Sequence, residues 1–155
     1  MKTINLGCGE QENGDVRVDF VKTKTTTHVL DLNKKLPFKD GEFDYVYCNS
    51  VLEHIGNVKD FIKESMRVLK DGGEYYFRTD NASYIGFMMQ NHQSYIENEE
   101  WSKDDKHFYL FKPEHMTNLF GEYIWITYTC PSKKLFFLPK KYKCMHIEVH
   151  GKKVK

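Results

Sequence analysis

Several side chains in this sequence could do chemistry. At its start Ile4-Asn5-Leu6 runs into Gly7-Cys8-Gly9, and the next apolar run ends in a lone acid, Asp19. A strand ending in Gly-x-Gly lets bare backbone approach a flat or charged ligand, and an acid closing the neighbouring strand is placed to take two ribose hydroxyls. Glycine turns are common between strands, so the weight falls on Asp19 and on the order of the later motifs. Together the features point to a nucleoside cofactor. Asp31 closes a further apolar run in the same way. Candidate proton acceptors are His54 and His107. His146, Glu148 and His150 alternate on one strand face. They are strung along a line with no evident fourth ligand, so no metal site is expected.

These groups need strands to carry them. Strand-like runs are Thr3 to Gly7, Val16 to Phe20, His28 to Leu30, Tyr45 to Asn49, Glu74 to Arg78, Tyr123 to Cys130 and Lys143 to Val149. Several are continuous apolar or aromatic runs, as in a sheet covered on its faces. Asn57 can cap a helix, with Asp60 in the capping-box position and Val58, Phe61, Ile62, Met66 and Leu69 at helical spacing. Gly72 and Gly73 are expected to stop it. Asn81 can cap a second helix carrying Tyr84, Ile85, Met88 and Met89, and a third begins at Pro113 and ends at Gly121. Strand-helix alternation predicts an α/β fold with a mainly parallel sheet. The last two strands, joined by Pro131 to Tyr142 without a helical pattern, read as an antiparallel pair.

The 155 residues suit one domain, 1–155, with one core. No apolar run approaches a membrane span, and no signal-peptide core precedes the first strand, so a cytoplasmic location is expected. Cys8, Cys48, Cys130 and Cys144 form no Cys-x-x-Cys pair, and reduced, mostly buried thiols are expected. The chain's net charge is +1, yet Lys133 to Lys155 holds eight lysines and one acid, a tail of +7 against −6 elsewhere. Lysines guarding the edge of a terminal hairpin account for this.

The order of these features resembles a small class I S-adenosylmethionine-dependent methyltransferase. The matching pieces are INLGCG (4 to 9), VDF (18 to 20), the long stretch from Val29 to Ile55, and MRVLKDGGEYYFRTDN (66 to 81). They cover about half the chain, and the resemblance thins after Asn81. It implies a Rossmann-like domain with a mostly parallel seven-stranded sheet, an antiparallel last strand, and S-adenosyl-L-methionine as cofactor. It further implies a cofactor site formed by Asn5, Gly7, Cys8, Gly9, Asp19, Phe20, Asp31, Leu32, Asn49 and Ser50. In it Gly7 and Gly9 lie against the methionine and ribose portions, Asp19 takes the ribose hydroxyls, Asp31 faces the adenine amine, and Asn49 floors the site. Glu53 and His54 come next, on the rim where substrate enters.

Three departures stand out. The family's usual acid two residues before the first motif glycine is Asn5 here, and its third motif glycine is replaced by Gln11. Only nine residues separate Gly9 from Asp19, too few for a crossover helix with its loops. Asn33 to Glu42 is also too short and Pro-containing to be a good helix. One sheet face is therefore expected to be trimmed of helices, which suggests a homodimer. The leading function is methyl transfer to a small-molecule or glycan O- or N-nucleophile. The alternatives are a non-catalytic or weakly cofactor-binding subunit and a nucleic-acid-directed enzyme. The second is disfavoured because Asn49-Ser50-Val51-Leu52 stands where amino-methylating members carry Asn/Asp-Pro-Pro-aromatic. No membrane partner is expected.

Overall fold

The structure, a computed structural model, describes residues 1–84, 107–121, 124–129 and 139–154. Four strands come first: β1 (Thr3–Leu6), β2 (Val16–Asp19), β3 (His28–Val29) and β4 (Phe43–Asn49). A single 3₁₀ turn at Leu52–His54 leads to helix α1 (Val58–Val68) and then β5 (Leu69–Asp80). The rest is α2 (Pro113–Phe120), β6 (Ile124–Thr129), a short α3 (Lys140–Lys143) and β7 (His146–Lys152). The strands form one sheet in the order β3-β2-β1-β4-β5-β7-β6. Every pairing from β3 to β5 is parallel, and β7 runs antiparallel to both β5 and β6. The mostly parallel seven-stranded sheet and its antiparallel final strand agree with the sequence expectation.

Strand alternation sorts the two faces. Ile4, Leu6, Val46, Cys48, Phe77, Ile147 and Val149 are buried on one face. Against it lie the apolar positions of α1, where Phe61 meets Phe77 edge-on at 6.3 Å, and of α2, where Phe120 stacks on Tyr75 at 5.6 Å. Asn57 caps α1 by accepting from the Asp60 amide, and Pro113 stands in the first turn of α2. The opposite face carries Tyr45, Tyr47, Tyr76, Arg78, His146, Glu148 and His150, all only partly covered, and Trp125, which is 64% exposed.

Among the described residues, none before Val58 is in an α-helix. β1 and β2 nonetheless pair directly and in parallel, Ile4 opposite Val16. The short crossover is braced by side chains instead of a helix. Asp15 and Thr3 exchange two bonds, the Thr3 amide donating to the Asp15 carboxylate at 2.7 Å and the Asp15 amide to the Thr3 carbonyl at 3.0 Å. Arg17 donates to the carbonyls of Gly14 and Thr25. The helix-free stretch before β4 is held by Arg67 of α1, which donates to the Leu36 and Phe38 carbonyls while ion-paired to Asp40 and Glu64.

The structure corrects four sequence expectations. Gly72 and Gly73 do not stop α1. The helix ends at Val68 and β5 begins at Leu69, so both glycines lie within the strand, where a Gly73 Cβ would stand 2.6 Å from Leu69 Cδ1. Tyr84 is not helical; the Asn81 side-chain oxygen accepts from the Ser83 amide at 3.0 Å while its amide donates to the Lys141 and Cys144 carbonyls. The remainder of that expected helix, Ile85, Met88 and Met89, lies outside the described residues. The final strand is His146–Lys152, not 143–149, because α3 occupies Lys140–Lys143. Cys8 and Cys48 are free and buried, but Cys144 is disulfide-bonded. A disulfide needs only two Cα atoms brought close by the fold, so the lack of a Cys-x-x-Cys spacing did not exclude it. Cys130 is outside the described residues.

Candidate functional site

β1, β2, β4 and β5 all deliver their carboxyl ends to one edge of the sheet, where β1 has β2 on one side and β4 on the other. Chain order reverses there, which opens a crevice in parallel sheets of this kind. The glycine turn leaves β1 with the Gly7 and Cys8 amides both donating to the Val18 carbonyl. The two motif glycines have different jobs. A Cβ on Gly7 would stand 2.2 Å from Val51 Cγ2, so this glycine exists to let the chain pass the valine. A Cβ on Gly9 would meet nothing within 4 Å. Its α-carbon borders open space, and that is where a ligand can lie against bare backbone. Both have positive φ, +76° and +51°.

Asp19 is tied to the turn. Its Oδ2 accepts from the Gly9 amide at 2.7 Å and its Oδ1 from the Val21 amide at 3.0 Å. A carboxylate has about four acceptor sites, so these two amides do not exhaust its capacity to accept. The Gly9 carbonyl accepts from the hydroxyls of Thr23 and Thr25, each at 2.8 Å. This threonine loop stands where a helix would otherwise support the turn. Its signal in the sequence is the run Thr23-Lys24-Thr25-Thr26-Thr27, to which the motif pattern assigned no role. Beside the turn Phe20 is 70% exposed and Val21 and Val29 are more than half exposed. These exposed apolar side chains follow Asp19 in the chain or stand opposite it in the β2–β3 pairing.

The other predicted cofactor residues divide. Asn5 is fully buried, and its amide donates to the carbonyl and side chain of Asn13, so it shapes the turn. Its Oδ1 is buried with no hydrogen-bond partner among the described residues. Cys8 Sγ is buried against Thr26. Asp31 accepts from the Asn33 amide and side chain, a turn that holds its carboxyl below the usual range, with Lys34 3.4 Å away. Leu32 is buried beneath that turn. Asn49 ends β4, and Ser50 beyond it is the one non-glycine with positive φ among the described residues.

The two predicted histidines meet. His107 is 8% exposed, and its ring lies edge-on to that of His54 at 4.5 Å. The segment after residue 106 is docked by the Phe108 amide donating to the Glu53 carbonyl at 2.7 Å and the Tyr109 hydroxyl donating to that of Gly56 at 3.0 Å. Beneath them are two carboxyls, Glu53, expected on the rim where substrate enters, and Asp80. Glu53 is 1% exposed and accepts from the Thr79 hydroxyl at 2.9 Å; burial foremost pushes its pKa up to about 7. Asp80, at the end of β5, is within 3.6 Å of His107 Nδ1 and 3.5 Å of His146 Nε2. Of the expected face-sharing trio, His146 thus turns to Asp80, while Glu148 accepts from Thr127 and Thr129.

Comparison with known proteins fits this geometry. A family model described as a methyltransferase domain matches residues 5–77. An uncharacterized protein of Methanocaldococcus jannaschii is 41% identical over 63 residues, 40% of this chain and 31% of that protein. The ubiquinone biosynthesis O-methyltransferase of Hydrogenovibrio crunogenus is 26% identical over 68 residues, 44% of this chain and 28% of that protein. The chain thus spans less than a third of the curated relatives it matches. Two solved structures share the fold. A SAM-dependent methyltransferase of Thermotoga maritima, a possible histamine N-methyltransferase, has a TM-score of 0.72 at 16% identity over 98% of this chain and 82% of its own. A SAM-dependent methyltransferase of Archaeoglobus fulgidus has a TM-score of 0.69 at 14% identity, over 98% and 86%.

Proposed function

We propose that this chain is a class I Rossmann-like S-adenosylmethionine-dependent methyltransferase and that it methylates an oxygen or nitrogen nucleophile of a small molecule or glycan; the family-model match over residues 5–77 and the sheet support the reading. The observation that carries the reading is the coupling of Gly9 to Asp19: open space over a bare α-carbon, with a carboxylate fixed beside it. S-adenosylmethionine supplies a sulfonium methyl that is already electrophilic. Asp19 binds the ribose hydroxyls, Phe20 and Val21 offer the adenine an apolar shelf, and Asn49 and Ser50 floor the reacting end. Asn5 Oδ1 is a buried acceptor at the base of the turn, suited to the cofactor's ammonium. His107 and His54 face the acceptor and take its proton when the nucleophile is a hydroxyl or an ammonium. Holding the acceptor in line and excluding water supplies the rest.

Thermal unfolding with and without S-adenosylhomocysteine tests this. Ligand at a hundred times its Kd adds about 2.7 kcal/mol. Gly9→Ala should fold, with a left-handed backbone cost of about 1–2 kcal/mol, and should lose the shift because its methyl enters the ligand's space. No shift in the wild-type protein at millimolar ligand would overturn the reading.

The reading includes a homodimer formed through the open sheet face. Trp125 and three tyrosines stand there uncovered or half covered, and Tyr and Trp are enriched at interfaces. Sedimentation at high micromolar concentration should give twice the 18.4 kDa chain mass; a monomer ends the idea.

A further inference from the structure

Beyond the carboxyl end of β5 one buried side chain ties separate segments together. Asn81 is fully buried. Its amide donates to the Lys141 and Cys144 carbonyls, each at 2.8 Å, and its side-chain oxygen accepts from the Ser83 amide at 3.0 Å. The Ala82 amide donates to the Phe111 carbonyl at 2.8 Å, and Lys112 follows Phe111 directly. Residues 81–83 thus fix where both Lys112 and Lys141 leave the backbone. These segments enclose a cavity of about 710 Å³, with Ser83, Lys112, Glu114, His115, Lys141 and Tyr142 in its wall. Small-molecule sites span about 300–1,000 Å³. Ser83 closely follows Asp80, and Lys112 closely follows His107. The cavity therefore lies along the same edge of the sheet as the paired histidines.

The wall carries two lysines against one acid, Glu114. Among the described residues no carboxylate is ion-paired to either lysine. Lys141 Nζ stands over the Tyr142 ring, 4.9 Å from its centroid, a contact that holds a cation in place. His115 adds a neutral donor. The Lys112 amide donates to His115 Nδ1 at 3.2 Å, so that nitrogen holds the lone pair and Nε2 carries the hydrogen. An arginine fork matches a flat carboxylate, whereas ammonium groups act as point charges and suit a phosphate. We propose that this cavity receives a phosphate group of the methyl acceptor, with Lys112 and Lys141 as its cations and His115 Nε2–H as a further donor. That the phosphate belongs to the acceptor rests on the functional reading above; the phosphate site itself does not.

Nitrogen-proton correlation spectra of the whole chain, titrated with sodium phosphate, test the site. Sodium acetate and sodium chloride at matched ionic strength are the controls. The Ser83, Lys112 and His115 amides should shift saturably with phosphate and with neither control. Lys112→Ala combined with Lys141→Ala should weaken phosphate binding about 10-fold or more. Both changes keep the backbone groups that build the cavity. Glu114→Gln removes the opposing carboxylate and should tighten binding about 2- to 5-fold. No saturable shift, or a shift that neither variant alters, overturns the proposal. Equal shifts with acetate overturn the choice of phosphate. Phosphate must also bind the protein saturated with S-adenosylhomocysteine, because acceptor and cofactor occupy an enzyme together. Phosphate that displaces S-adenosylhomocysteine overturns the acceptor assignment. Phosphate bound at these residues in a protein that does not bind S-adenosylhomocysteine would uphold the phosphate site and sink the functional reading. Tight S-adenosylhomocysteine binding with no phosphate shift would do the opposite.

Discussion

Glu53 shows how one residue can set a pH dependence. Its neighbours in sequence, Leu52 and His54, suggest a short exposed turn, yet the side chain is buried under β5 with Thr79 as donor. Ionising it there costs solvation that one hydroxyl does not return. In the unfolded chain the group titrates near 4.5; burial foremost raises it to about 7 in the native protein. Between those values the native state holds a proton the unfolded state has released. Stability from this group is therefore intact below about pH 4, falls as pH rises toward 7, and is flat above. The span corresponds to roughly 3 kcal/mol. Glu53→Gln keeps an acceptor for Thr79 and does not titrate. The variant should match the wild type near pH 4.5 and exceed its unfolding free energy by up to about 3 kcal/mol at pH 8. Urea unfolding at the two pH values measures the difference, and equal differences at both would show that Glu53 is not the titrating group.

At the level of elements, the turn after β1 separates what the sequence displayed from what it concealed. The apolar runs ending in Asp19 and Asn49, and the glycines after Leu6, were legible because strand-end placement is a local property. That Gly7 serves Val51 and only Gly9 faces open space was not, because the two residues meet only when β1 and β4 pair. The Asp80–His146 contact was hidden for the same reason: 66 positions separate them, and only the β5–β7 register joins them. Gly72 and Gly73 misled because glycine both ends helices and permits close strand packing, and residue type does not distinguish the two. The Gly7 assignment is testable. Gly7→Ala should cost about 2–4 kcal/mol, from the clash and the left-handed backbone together. With Val51→Ala also present, the clash disappears and the alanine at position 7 should cost only about 1–2 kcal/mol. A double-mutant cycle in denaturant reads the coupling; strict additivity would remove Val51 as the reason for the glycine.

The molecule as a whole is unevenly supported. β4, β5 and β7 lie mid-sheet beneath α1 and α2, and their inward residues are buried. β3 is an edge strand of two exposed residues, and the turn at Gly9 depends on threonine hydroxyls and one carboxylate. Regions with few buried apolar contacts open locally at free energies below the global value. The β2–β3 region and the loop from 20 to 27 should therefore exchange their amide hydrogens through a smaller opening than β4 and β5. Yet this weak region holds Asp19 and Gly9, so on the proposed reading cofactor binding and local order are linked. An opening that dismantles the site must first release the ligand. At a hundred times its Kd, S-adenosylhomocysteine should slow exchange through such openings about 100-fold, the kinetic image of about 2.7 kcal/mol. Openings confined to the far edge, in β6, leave Asp19 and Gly9 in place and should exchange at unchanged rates. Site-resolved hydrogen exchange with and without ligand separates these cases. Uniform slowing across β6 as well as β2 would mean that the sheet opens as one unit. Slowing absent at Gly9 and Val21, whose amides Asp19 holds, would mean that the ligand sits elsewhere.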